Sequence, residues 1–165
     1  VEGRTVLVGS SMGGWLMLLV ARARPDKVAG LVGIAAAPDF TEDLMRPALT
    51  EEQKAALERD GVFYEPSPYG DPLAITRRLL EDGERHLLMR EPIRFDGPVH
   101  LLQGQEDPDV PWMTAVSLAA NLTSRAVTVE LIKDGDHRLS RPEDLRRIGA
   151  ALDRVLAQVE GRPLV

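Results

Sequence analysis

The sequence predicts an α/β fold built on a parallel sheet, and three observations predict it. Short β-branched or apolar runs alternate with helix-period segments, the runs are apolar at nearly every position, and each is separated from the next by a helix-length connection. Strands that are apolar throughout are buried on both faces, and parallel neighbours require such crossovers.

Thr5-Val6-Leu7-Val8 is the first strand, ended by Gly9. From Met12 to Arg24 the chain carries Leu, Met, Ala and Val on nearly every side and is closed by Pro25, so it reads as a largely covered helix. Val28 to Ala36 is again continuously apolar and completes a strand–helix–strand crossover unit. Between Pro38 and Pro92 strand signals vanish and helix signals take over, so an inserted helical cap of about residues 38–92 is expected. Asp39 with Glu42, and Thr50 with Gln53, are spaced as capping boxes. Asp71-Pro72 and Gly83 bracket a third expected helix. Phe40, Phe63, Tyr64 and Tyr69 lie at the tips and connections of these helices, where they line a pocket or pack a core. The α/β pattern then resumes with a strand at Val99 to Gln103, a helix at Val110 to Asn121, a strand at Val127 to Ile132 and a helix at Pro142 to Val159.

Composition narrows the function. A chain of 165 residues with 44% hydrophobic content supports one domain with a core, and no repeat or linker suggests a second. It contains no cysteine, which excludes disulfides, thiolate metal sites and a cysteine nucleophile. The net charge of -6 repels phosphate backbones, so no nucleic-acid partner is expected. The longest apolar run, Trp15 to Ala21, falls well short of the roughly 18 residues of a membrane span. The chain begins at Val1 with no basic-then-apolar leader, and a cytoplasmic location is the expectation.

One motif carries chemistry. Gly9-Ser10-Ser11-Met12-Gly13 has the spacing G-x-S-x-G and lies between a predicted strand and a predicted helix. In that context the serine occupies a strained turn, with glycines two residues before and after it making room for strand and helix, and Gly14 relieving crowding further. The Ser11 hydroxyl then projects from the carboxyl end of the sheet, and the Met12 N–H at the helix start is one oxyanion donor. A nucleotide-binding turn is the alternative, but the stretch fits neither G-x-G-x-x-G nor the phosphate loop, and Trp15 stands where the latter needs lysine.

A serine hydroxyl is a weak nucleophile, so a base must take its proton and an acid must orient the base. There are three histidines. His100 lies inside a strand and His86 on a cap helix, whereas His137 lies in a loop after the last strand and is the candidate base. The acid comes from the loop Gly104 to Pro111, where Glu106, Asp107 and Asp109 compete. Asp107 is favoured, Asp109 is explained as a cap of the helix near Pro111, and Asp39 remains a rival after the preceding strand. The chain order serine, acid, histidine suits this architecture.

These residues, taken with Gly9 to Leu18, Ala23 to Val28, Pro92-Ile93, Leu101-Leu102-Gln103-Gly104, Val110-Pro111-Trp112 and Gly135-Asp136-His137-Arg138, resemble the α/β-hydrolase-domain family that contains mitochondrial palmitoyl-protein thioesterase. The resemblance covers nearly the whole chain. Its G-x-x-D-x-x-V-P pattern assigns Asp107 as the acid, and where the family often carries histidine before the acid-loop glycine this chain has Gln103. It implies the α/β-hydrolase fold and hydrolysis of acyl esters or thioesters, including protein S-acyl groups and acyl glucuronides, with no metal or organic cofactor. The proline-rich, acidic wording suggests a bacterial member. The fold normally has about eight strands. The four expected here correspond to the fifth through eighth, so the amino-terminal half, with the second oxyanion N–H, is expected to be absent from this chain. A catalytically silent scaffold, and cleavage of lactone, carbon–carbon or peptide bonds by the same triad, are the alternatives.

Overall fold

All four expected strands of the parallel sheet are present in the computed structural model, which describes residues 3–67 and 70–161. In chain order, β1 (Thr5–Ser10), α1 (Met12–Ala23) and β2 (Val28–Ile34) come first. A π-helical turn (Thr41–Met45), α2 (Arg46–Ala48), α3 (Glu51–Asp60), β3 (Val62–Ser67), β4 (Gly70–Thr76) and α4 (Arg77–Glu84) follow. The chain closes with β5 (Val99–Gly104), α5 (Met113–Asn121), β6 (Val127–Ile132) and α6 (Pro142–Val159). Two compact units result, residues 1–38 with 88–165, and residues 39–87.

The first unit holds the sheet, in the order β1-β2-β5-β6 with every pairing parallel. The central strands β2 and β5 are buried at every position, as their unbroken apolar runs require. Alternation sends Val32, Ile34 and Leu102 to one face, where they pack with Ala151 and Val155 of α6. On the other face a side chain at Gly33 would meet Leu101 and the Met17 methyl of α1, so α1 and α6 sandwich the sheet. Fully buried leucines such as Leu18, Leu101 and Leu118 each contribute about 1.5–3 kcal/mol of burial. The strand β1 is an edge of the described sheet, with Val8 half exposed, and Met12, Leu16 and Val20 of α1 are exposed at helical spacing. No helix among the described residues is long and apolar enough to cross a membrane.

His100 is a core residue of β5, paired in register between Val32 and Thr128, and is 2% exposed. Its Nε2 lies 3.4 Å from Glu130 Oε2 without hydrogen-bond alignment, and Glu130 is held by Arg147 at 2.7 Å. Burial pushes the imidazole below its ordinary value; Glu130 opposes that shift and Arg154 adds to it. The unfolded chain therefore binds a proton at His100 more readily than the folded one. This contribution to stability is complete above about pH 6.5 and is lost as pH falls from there toward the folded-state value. Thermal melts from pH 7.5 to 5 should show the loss, and His100→Gln should flatten it.

The second unit departs from the all-helical cap that the sequence suggests. Thr50 and Gln53 form the expected capping box, and α3 ends at Gly61 with a left-handed φ of 74°. The helix expected from Asp71-Pro72, however, begins only at Arg77, capped by the Thr76 hydroxyl, and residues 70–76 pair antiparallel with β3. Phe63 sits opposite Ile75, and both are buried in a cluster with Leu57 and Leu80. Pairing a β-branched, aromatic strand with an apolar partner outweighs the local Asp-Pro helix-start signal. At Asp39 the backbone is left-handed, φ 57°, and its carbonyl accepts the N–H groups of Glu42 and Asp43. Phe40 occupies the N-cap position without a side-chain cap, so the expected Asp39–Glu42 box gives way to a backbone-closed turn.

Candidate active site

The motif turn is built as its letters require. Ser11 has φ 51° and ψ −122°, a region that costs a non-glycine residue about 1–3 kcal/mol. Neighbouring backbone holds it there: the Ser11 N–H donates to Ile34 O at 2.9 Å, and the Ser11 carbonyl accepts from Gly14 and Ala37. A Cβ on Gly9 would stand 2.3 Å from the Gly13 carbonyl oxygen, and one on Gly14 would stand 2.5 Å from Ala36 Cβ. At Gly13 itself nothing lies within 4 Å, so the close approach depends on Gly9 and Gly14 rather than on both motif glycines. Gly9→Ala is expected to destabilise by about 1–3 kcal/mol. Gly13→Ala should be neutral or up to about 1 kcal/mol stabilising, as expected within a helix; thermal denaturation of the two variants checks the contrast.

Parallel strands deliver their following loops to one edge, and the three predicted residues meet there. His137 Nε2 lies 3.0 Å from Ser11 Oγ, and His137 Nδ1 lies 2.8 Å from Asp107 Oδ2. The imidazole is one-fifth exposed, while the Asp107 side chain is fully buried. Asp107 is fully occupied as an acceptor: Oδ1 receives the N–H groups of Asp109 at 2.8 Å and Val110 at 2.9 Å, and Oδ2 also receives Gln103 Nε2 at 2.8 Å. Asp109 does not cap the following helix as expected, because α5 starts at Met113 with Trp112 as its N-cap. Both ring nitrogens of His137 face Ser11 and Asp107, leaving no ring position for Glu106, Asp109 or Asp39.

Four devices set the histidine loop, and none of these contacts is legible in the sequence alone. The acid and histidine loops are stitched by Gln105 N–H to Ile132 O and Glu106 N–H to Gly135 O, at 2.9 and 3.0 Å. A Cβ on Gly104 would fall 2.2 Å from Gly135 O, so only glycine permits that approach. Asp136 Oδ1 accepts from the N–H groups of Arg138 and Leu139, turning the chain back after His137. Arg141 clamps the loop's far end, pairing with Asp134 at 2.7 Å and with the buried Asp144 at 2.8 Å. Hydrogen bonds from Arg141 hold both carboxyls below the usual range. The D-G-D-H spacing was visible, but the arginine's reach back over it depends on where α6 starts.

Among the described residues, Asp107, Asp109 and His137 offer ligand atoms within 4.8 Å of one another, the one grouping suited to a cation. A cation there would compete with the His137–Asp107 hydrogen bond. The insertion has its own concavity, lined by residues including Leu49, Leu57, Leu80, Arg46, Lys54 and Arg77. Its cations are engaged: Arg46 with Glu42 and Glu84, Lys54 with Glu51, and Arg77 with the carbonyls of Leu57 and Glu58. Of the aromatics expected to line a pocket or pack a core, with packing favoured for each, Phe63 packs in the core and Tyr64 is exposed, neither lining this concavity; Tyr69 lies outside the described residues.

A family model described as the alpha/beta hydrolase family matches residues 1–148. The mitochondrial palmitoyl-protein thioesterase ABHD10 of Bos taurus is 39% identical over 157 residues, 94% of this chain and 51% of the relative. The chain thus spans about half the length of the curated relatives it matches. Among solved structures, a protein of Agrobacterium vitis assigned as a hydrolase is 44% identical with a TM-score of 0.86, over 92% of this chain and 61% of that one. Alpha/beta hydrolase domain-containing protein 10 from mouse superimposes with a TM-score of 0.83 at 36% identity, over 96% of this chain and 64% of its own.

Proposed function

Because the chain belongs to the α/β-hydrolase family, we propose that it supplies the catalytic residues of a serine hydrolase that cleaves acyl esters or thioesters. The observation that carries the reading is the continuous relay Ser11 Oγ–His137–Asp107 at 3.0 and 2.8 Å. Ser11 Oγ attacks the acyl carbonyl as His137 Nε2 takes its proton. The tetrahedral intermediate collapses when the same imidazolium protonates the departing alcohol or thiol, leaving Ser11 acylated. Water, deprotonated by His137, then attacks the acyl-enzyme and returns the acid product and free Ser11. Asp107 keeps the proton on Nδ1 so that Nε2 is an acceptor, and it stabilises the imidazolium. Met12 is the first residue of α1, so its N–H has no intrahelical acceptor and is offered as an oxyanion donor.

A thioester preference draws support from relatives named as palmitoyl-protein thioesterases. A cytoplasmic location and a bacterial source belong to the same proposal; a cysteine-free chain is compatible with a reducing compartment, whereas those relatives are named mitochondrial, and cell fractionation decides the location. The reading is tested by treating the full-length protein with a fluorophosphonate and locating the adduct by mass spectrometry, beside hydrolysis of a p-nitrophenyl ester and an S-acyl cysteine peptide. An adduct on Ser11 with turnover of either substrate is expected. A folded protein that neither labels nor turns over would return the silent-scaffold reading.

A further inference from the structure

We propose that Gln103 is a positioning residue for the acid of the relay, an inference that rests on the assignment of Asp107 to that role. Gln103 is the penultimate residue of β5 and is fully buried. Its Nε2 stands 2.8 Å from Asp107 Oδ2, 3.1 Å from the Val110 carbonyl and 3.4 Å from the Gly104 carbonyl, so the nitrogen faces three acceptors. The opposite amide orientation would set an oxygen against a carboxylate oxygen. The orientation observed is therefore dictated by these neighbours, and it leaves Gln103 Oε1 buried with no hydrogen-bond partner among the described residues. A leucine or methionine would fill the same volume without burying an unmet acceptor, so packing alone does not account for an amide here.

What the amide does follows from how the carboxylate is held. The N–H groups of Asp109 and Val110 both donate to Oδ1, which anchors one oxygen but leaves rotation of the carboxylate about that anchor unopposed. Gln103 fixes the second oxygen. It also ties down Val110, whose N–H is on Oδ1 and whose carbonyl accepts from the same Nε2, so the 107–110 turn is closed as a ring around the carboxylate. Oδ2 then stays aimed at His137 Nδ1 before substrate arrives.

The test uses the full-length protein, with kcat and KM for p-nitrophenyl butyrate and the low-field proton NMR signal of His137 Nδ1–H as readouts. Gln103→Met is expected to lower kcat by about 10- to 100-fold, the effect of one hydrogen bond to a charged group, with KM within about twofold. The low-field signal should move upfield. Gln103→His, which keeps an N–H donor on a shorter side chain, should recover kcat to within about threefold of the parent. A folded Gln103→Met with kcat within about twofold of the parent and an unmoved signal overturns the proposal. Should Gln103→Met not fold, Gln103→Leu, which likewise removes the donor, is expected to show the same kcat loss, and parental kcat in it overturns the proposal. Unfolding of both variants does so too, in favour of a purely structural role. Ser11→Ala separates the two readings: activity surviving in it sinks the relay itself, whereas activity lost in it but kept in Gln103→Met sinks only the role of Gln103.

Discussion

Asp107→Asn is expected to lower kcat by about 10⁴-fold while the protein stays folded. Four N–H donors converge on this carboxylate, two backbone groups on Oδ1 and the Gln103 and His137 side chains on Oδ2. An asparagine has one acceptor oxygen to offer. The backbone donors of Asp109 and Val110 cannot reverse their polarity, so the amide oxygen goes to them and the NH₂ turns toward His137. The imidazole meets that NH₂ by accepting through Nδ1, which places its proton on Nε2, opposite Ser11. In that tautomer His137 cannot take the serine proton. Steady-state kinetics beside a circular-dichroism melt check the expectation; a variant within tenfold of the parent would remove Asp107 from the mechanism.

Ser11→Ala has the larger expected effect, a loss of about 10⁶-fold that takes turnover to background, because the acyl-enzyme cannot form. Its effect on stability is expected to be small. The strained backbone at φ 51° is held by hydrogen bonds of the main chain, which alanine keeps. What is lost is one partly exposed hydrogen bond to His137, whose net contribution is on the order of 1 kcal/mol. Melting temperature, turnover and fluorophosphonate labelling measured on the same preparation separate these effects. An adduct that persists on another serine would move the nucleophile away from the turn at residues 9–13.

The pieces legible in the sequence are those whose physics is local. The turn around Ser11 needs only a strand, glycines and a helix start in succession, and those signals lie within a few residues of one another. The capping box at Thr50 and Gln53 and the wholly apolar runs of β2 and β5 are equally local. The β3–β4 hairpin is not legible locally, because its stability comes from pairing Phe63 with Ile75 across the chain, while Asp71-Pro72 signals a helix when read alone. Read locally, Pro111 marks a helix start that Asp109 would cap, whereas the Asp107 turn consumes residues 107–110 and delays the helix to Met113.

By itself the sequence determined the fold class, the order of strands and helices in the sheet-forming part, and the three residues Ser11, Asp107 and His137 as candidates. Tertiary structure alone decided that these three meet, since 126 residues separate Ser11 from His137 and only parallel pairing brings β1, β5 and β6 to present their following loops at one edge. Among Glu106, Asp107 and Asp109, where the family resemblance already singles out Asp107, the folded loop adds that the Asp107 side chain is buried and surrounded by donors. Gln103 is the sharpest instance: the sequence marks it only as a glutamine where the resembled family often carries histidine, and its proposed task follows from the chain returning to it with a carboxylate and a carbonyl.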